Sequence, residues 1–202
     1  MSNEDTECFT YKPIGYIQSI FQSKNGTPRQ SGLSDFARAR LTVSKAVFTN
    51  PDHSLANLGD FSHLWLLWVF HQDAGNTNVK AKVAPPRLGG GRVGVFSTRY
   101  YLSRRQGIGC HDVRSPHRPA NIGLTLARLE RVEGDTIHLA GVDILDNTPV
   151  LDIKPYIPQY DSPRPCDIGG ADADVSEAPG VSVRVPQWIG DPGDDLNVIF
   201  SR

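Results

Sequence analysis

Residues 124–157 read LTLARLERV (124–132), EGD (133–135), TIHLAGVDIL (136–145), DNT (146–148) and PVLDIKPYI (149–157). The first two runs alternate apolar with polar residues and are rich in Val, Ile, Leu and Thr, the period-2 pattern of half-buried strands. Glu133-Gly134-Asp135 and Asp146-Asn147-Thr148-Pro149 carry turn chemistry, and both are expected to close hairpins. Working outward, four more short runs stand between Gly, Pro and Asn breaks: IGYIQSIF (14–21), RLTVSKAVF (40–48), SHLWLLWVF (62–70) and RVGVFST (92–98). Helix is scarce, a turn or two near Leu55 to Leu58. Seven candidate strands with tight links predict a mainly β chain, folded as a closed barrel or a sandwich.

With 202 residues and 39% hydrophobic content, the chain can bury the core of one domain and a small appendage. Residues 10–160 are the expected domain. From 161 to 182 the chain is rich in Asp, Pro, Gly, Ala and Ser, which cannot offset their ordering entropy, so 161–202 is expected to be a flexible linker and C-terminal tail. The acidic start MSNEDTECFT is not expected to act as a secretory signal, and no apolar run is long enough to span a bilayer, so a cytoplasmic or nuclear address is expected. Cys8, Cys110 and Cys166 are odd in number and far apart, as free thiols would be.

A net charge of -1 hides a basic centre: residues 80–131 hold eleven Lys or Arg against two acids, leaving ten bases and twenty acids elsewhere. Such segregation suits a protein that meets phosphates on one face. Within it, VGVFSTR (93–99) and SPHRPANIGLT (115–125) gather arginines, a histidine, prolines and glycines as a nucleotide-binding site does. Generic motifs are less apt. Gly89-Gly90-Gly91-Arg92-Val93-Gly94 spells GxGxxG, but no strand precedes it and no helix follows, so a Rossmann reading fails. His63 and His71 would share a face of one strand, yet no third ligand has convincing spacing; no metal site is expected, and His63 reads as a core histidine.

PIGYIQS (13–19), PRQ (28–30), FSHLWLLWVFHQ (61–72), PPRLGG (85–90), VGVFSTR, SPHRP, IGLT and GVDILDNTPVLDIKPYIP (141–158) resemble the TsaA-like tRNA (adenine-37 N6)-methyltransferase family over about residues 10–160. The resemblance implies a β-barrel rather than a Rossmann fold, S-adenosylmethionine as cofactor, a homodimer, and methylation of threonylcarbamoylated adenosine beside the anticodon of tRNA. Position by position it places cofactor contacts on Pro28, Arg29, Gln30, His71, Gln72, Arg99, Leu124, Asp146, Asn147, Thr148 and Pro149. Carboxylate and turn suit the amino and hydroxyl groups of the cofactor, Leu124 its adenine, and arginine its carboxylate. A sulfonium donor is already electrophilic, so alignment and exclusion of water are the protein's main tasks. The carbamoylated nitrogen has a more acidic hydrogen and a less available lone pair, and His71 and Asp146 are the expected proton acceptors in catalysis. The anticodon loop would meet Arg87, Arg92, Arg118 and Lys154.

Two departures stand out. Arg118-Pro119-Ala120-Asn121-Ile122-Gly123 replaces an RPNPIG-like run, and YYLSRRQGIGCHDVR (100–114) is interposed where the family runs straight from VFSTR into SPHRP. Arg99 and Arg114 flank the join, so either is the candidate for the family's arginine. Codon degeneracy also permits these fifteen residues to be an in-frame retained intron of forty-five nucleotides, whose removal would leave VFSTRSPHRP. Two alternatives to an active methyltransferase remain: a β-barrel RNA- or cofactor-binding module whose catalysis the interposed loop has impaired, and a metal-dependent hydrolase on His63, His71 and His117.

Overall fold

The computed structural model describes residues 9–23, 26–28, 31, 35–73, 79–84, 90–98 and 118–162. Six strands close a barrel: β1 (Gly15–Ser19), β2 (Arg38–Val43), β3 (His63–Val69), β6 (Ile122–Glu133), β7 (Thr136–Ala140) and β8 (Pro149–Pro155), in the order β1-β2-β7-β6-β3-β8. All neighbouring pairs are antiparallel, and β8 returns to β1 through Gly15↔Val150 and Tyr16↔Pro149. Closure leaves the six barrel strands no unpaired edge. Two short strands outside the barrel, β4 (Lys82–Val83) and β5 (Val93–Gly94), form a separate ribbon. Single-turn helices α1 (Pro51–Ser54) and α2 (Pro158–Asp161) are the only α-helix among the described residues.

The expected closed barrel is present, and six of the seven candidate runs are its staves. The seventh, 92–98, gives only β5 and then turns into a 3-10 segment, Val95–Ser97. Strict alternation builds the core: β2 reads exposed-buried throughout, and Ile17, Leu41, Leu64, Leu66, Ile137, Leu139 and Val150 are fully buried. Each such side chain contributes roughly 1.5–3 kcal/mol on burial. The twelve-residue β6 serves two partners, β3 along its first half and β7 along its second, with a register shift between Leu129 and Arg131. Such a shift lets one long strand bend around a small barrel.

The two expected hairpin turns have different fates. Gly134-Asp135 joins β6 to β7 as a two-residue hairpin, with Gly134 at the positive φ (58°) that a hairpin turn of this length requires. Asp146–Pro149 is no hairpin. The chain leaves β7 at Gly141 (φ 67°), crosses the barrel end with Val142 and Ile144 buried, and enters β8 beside β1 and β3 instead of beside β7. His63 is also corrected: it lies on the outer face of β3, half-buried, with its Nδ1 2.9 Å from Ser62 Oγ and its ring edge-on to Tyr156. It does not share a strand face with His71, which falls beyond β3 in a 3-10 turn, His71–Asp73. The expected flexible tail, the interposed loop 100–114, His117 and the three cysteines lie outside the described residues.

Candidate active site at one rim of the barrel

Register brings distant segments to one end of the barrel. Trp68, near the end of β3, pairs with Gly123 at the start of β6 and with Val150 at the start of β8. The chain just beyond β3, Phe70 to Gln72, therefore meets the chain just before β6, and the Phe70 amide donates to the Asn121 carbonyl at 2.9 Å while the Asn121 side-chain amide donates back to Phe70 O at 3.3 Å. The Asp146–Pro149 turn reaches the same rim from β8. His71, Gln72, Leu124 and Asp146 to Pro149, separated by up to 78 positions in sequence, are thus gathered at one mouth.

The turn is tied to β1. Asp146 Oδ1 accepts the Ser19 amide at 2.9 Å, the Asp146 amide donates to Phe21 O at 2.8 Å, the Asn147 amide to Ile17 O at 2.7 Å, and the Ile17 amide to Thr148 O at 2.9 Å. Asn147 takes a left-handed conformation (φ 58°), which Asn tolerates better than most residues. Asp146 is thereby oriented with further acceptor capacity on its carboxylate. Thr148 is fully buried, and its Oγ1 has no hydrogen-bond partner among the described residues. Such an orphan costs about 1–3 kcal/mol unless a ligand or ordered water meets it.

A second carboxylate stands at this rim that the sequence reading did not single out. Asp143 Oδ1 accepts from Thr125 Oγ1 at 2.8 Å, and Thr125 Oγ1 in turn accepts from Trp68 Nε1 at 3.0 Å. The indole lies so close over Gly123 that a Cβ there would come within 2.3 Å of Trp68 Cε2. The GVD of GVDILDNTP carried the signal: two acids three apart in an otherwise apolar segment.

Leu124 points outward from β6 and is 53% exposed, with Ile122 beside it on the same face, so its apolar surface remains available to a ligand or a partner. Pro28 is half-buried beside Thr27, whose Oγ1 donates to Ser23 O. Arg29, Gln30, Arg99 and Arg87 lie outside the described residues. Arg118 is half-buried, its guanidinium donating to the carbonyls of Thr98 and Val95 and standing 5.3 Å from the Phe96 ring centroid. Arg92 is exposed, and Lys154, on the outer wall opposite Trp65, pairs with Asp152 at 2.7 Å. Among the described residues no three His, Cys, Asp or Glu come together in a metal-ligating group.

A closed antiparallel barrel whose strand ends and one tight turn form a polar, partly apolar mouth defines a class of small β-barrel binding domains. The chain belongs to the tRNA-methyltransferase O N-terminal domain family, whose model matches residues 16–110 and 100–162, two segments that overlap within the interposed 100–114. It is 53% identical over 153 residues to a human tRNA (adenine(37)-N6)-methyltransferase, covering 76% of this chain and 31% of that one. To the Escherichia coli K12 protein of the same name it is 38% identical over 159 residues, covering 76% and 60%. A crystal structure of TrmO from Pseudomonas aeruginosa superposes with a TM-score of 0.57 at 34% identity, over 83% of this chain and 61% of that one. The chain thus spans about a third of the length of the human relative it matches.

Proposed function

We propose that this chain is an S-adenosylmethionine-dependent tRNA methyltransferase that acts on N6 of threonylcarbamoylated adenosine 37 beside the anticodon. The observation that carries the reading is the convergence at one rim of His71, Gln72, Leu124 and the Asp146–Pro149 turn, in a chain 53% identical to a protein named for that reaction. The residues present fit the cofactor: an oriented carboxylate at Asp146, an orphan hydroxyl at Thr148 and an exposed apolar side chain at Leu124 match amino, hydroxyl and adenine groups respectively. When bound, S-adenosylmethionine supplies the electrophilic methyl group. Ser19, through its amide, holds Asp146 in place, and Trp68, through Thr125, holds Asp143. His71 and Asp146 are the proton acceptors we assign to the target nitrogen. Arg87, Arg92, Arg118 and Lys154 are assigned to the anticodon loop, Arg118 by holding the 95–98 backbone as well as by its charge.

The apolar outer face around Ile122 and Leu124, flanked on β3 by Leu67 and Val69, supports a homodimer. No helix among the described residues is long and apolar enough to cross a membrane, and we place the protein with its tRNA in the cytoplasm or nucleus. A second reading, a binding module without methyl transfer, is favoured by the family match falling into two segments that overlap within the interposed residues. Mass spectrometry of nucleosides from tRNA incubated with the full chain and S-adenosylmethionine tests both. Appearance of the N6-methylated threonylcarbamoyladenosine supports the enzyme, and cofactor binding without that product supports the module.

A further inference from the structure

A groove of about 480 Å3 lies on the outer wall across β1, β2, β7 and β6, sharing Ser19 with the rim. Its floor is one register row: Gln18 opposite Arg40, Arg40 opposite His138, and His138 opposite Arg131. With strands about 4.8 Å apart, the row spans roughly 14 Å, more than a single phosphate needs. At the β6 end the cations are already paired. Arg131 Nε meets Glu133 Oε1 at 2.5 Å, His138 Nε2 lies 3.0 Å from Glu133 Oε2, and Arg38 Nε meets Glu130 Oε1 at 2.9 Å. Arg131 also holds the Glu133 carboxyl below its usual range, keeping that acid ionised. Arg40 differs: it is exposed and has no acidic partner among the described residues.

Two residues before Gln18 on β1, and so diagonal to Arg40 across the strand pair, Tyr16 stands outside the groove's lining on the same outward face, 49% exposed. A guanidinium without an acidic partner and an exposed ring on one outer face of a barrel wall are the combination that holds a single-stranded nucleic acid, the charge on phosphate and the ring beneath a base. At the far end the cations are already satisfied by Glu130 and Glu133, which leaves Arg40 as the cation of the row available to phosphate among the described residues. The Gln18–Arg40 side is continuous with the rim, because Ser19 lines the groove and gives its amide to Asp146.

We propose that this groove and the β1 wall adjoining it form a second RNA-binding surface, in which Arg40 takes a backbone phosphate and Tyr16, on the adjoining wall, stacks a base of a tRNA strand leading to the rim. The proposal rests on the reading of the chain as a tRNA-modifying enzyme. Its test is fluorescence anisotropy of labelled tRNA with the full chain, as a function of salt, for the wild type, Arg40→Ala, Arg40→Lys and Tyr16→Ala, with calorimetric S-adenosylmethionine binding as the fold control. Arg40→Ala should weaken tRNA binding about tenfold and lower the salt slope by about one. Arg40→Lys should recover most of the affinity, Tyr16→Ala should lose about tenfold with the slope unchanged, and cofactor affinity should stay at the wild-type value in all three. Wild-type tRNA affinity in both Arg40→Ala and Tyr16→Ala overturns the proposal, as does displacement of the RNA by millimolar inorganic phosphate, which would mark a free-anion site. A wild type that binds tRNA with this Arg40 dependence yet transfers no methyl group overturns the enzymatic reading alone.

Discussion

Thr148 and Asp146 sit in one turn but are held differently, and their variants should separate accordingly. Thr148 Oγ1 is buried without a partner among the described residues. Thr148→Val removes that orphan and should raise stability by about 1 kcal/mol in thermal or urea unfolding, while weakening S-adenosylmethionine binding in calorimetry. Stability gained with cofactor affinity unchanged would take the hydroxyl out of the site. Asp146→Ala removes the acceptor of the Ser19 amide and should weaken cofactor binding by roughly 1 to 3 kcal/mol. Asp146→Asn keeps an oxygen for that amide and removes the charge, so an Asn variant that binds cofactor yet loses methyl transfer marks a proton acceptor, and one as active as wild type leaves that role to His71. Asp146 was legible from its motif. Asp143 was not, because its importance comes from Thr125 and Trp68, which only strand pairing places beside it.

Among the elements, the segment around the interposed residues has a definite anchor. Arg118, after the interruption, donates to the carbonyls of Thr98 and Val95 before it, so the two flanks lie side by side. The described ends of this stretch, Thr98 and Arg118, are therefore already joined, and none of the six barrel strands includes residues 100–114. Deletion of 100–114 should leave far-ultraviolet circular dichroism unchanged, shift the melting temperature by no more than a few degrees, and raise methyl-transfer activity. Lower activity than the full chain would show that the loop serves the enzyme. Uniform retention of the forty-five nucleotides in mature transcript would end the intron account. Strand identities were readable from short apolar or alternating runs between turn residues, with alternation clearest in β2 and β6. The Asp146–Pro149 turn has hairpin-like chemistry yet forms no hairpin, because turn chemistry marks where a chain bends, not which strand it bends toward.

For the molecule as a whole, charge and apolar surface make two claims. With eleven of its twenty-one bases between residues 80 and 131, tRNA affinity should fall steeply with salt, and Arg87→Ala with Arg92→Ala should flatten the slope by about two. A salt-independent affinity would sink the electrostatic account. The face carrying Ile122, 44% exposed, and Leu124 should be covered by a second copy, so Ile122→Glu should shift the sedimentation mass from dimer to monomer with the barrel intact. A wild type already monomeric at assay concentration would remove the homodimer.

The sequence by itself determined that the chain is mainly β, where six of its barrel strands run, and which long motifs tie it to its family, because alternation and motif spelling are local properties. Tertiary structure decided the rest. Closure through β1 and β8 rather than a sandwich, the placement of His71 and the Asp146 turn at the same end of the barrel, the Asp143–Thr125–Trp68 chain and the Arg40 row all depend on register between strands far apart in sequence. Register follows from the simultaneous burial of all the inward faces, a condition that no single segment expresses alone.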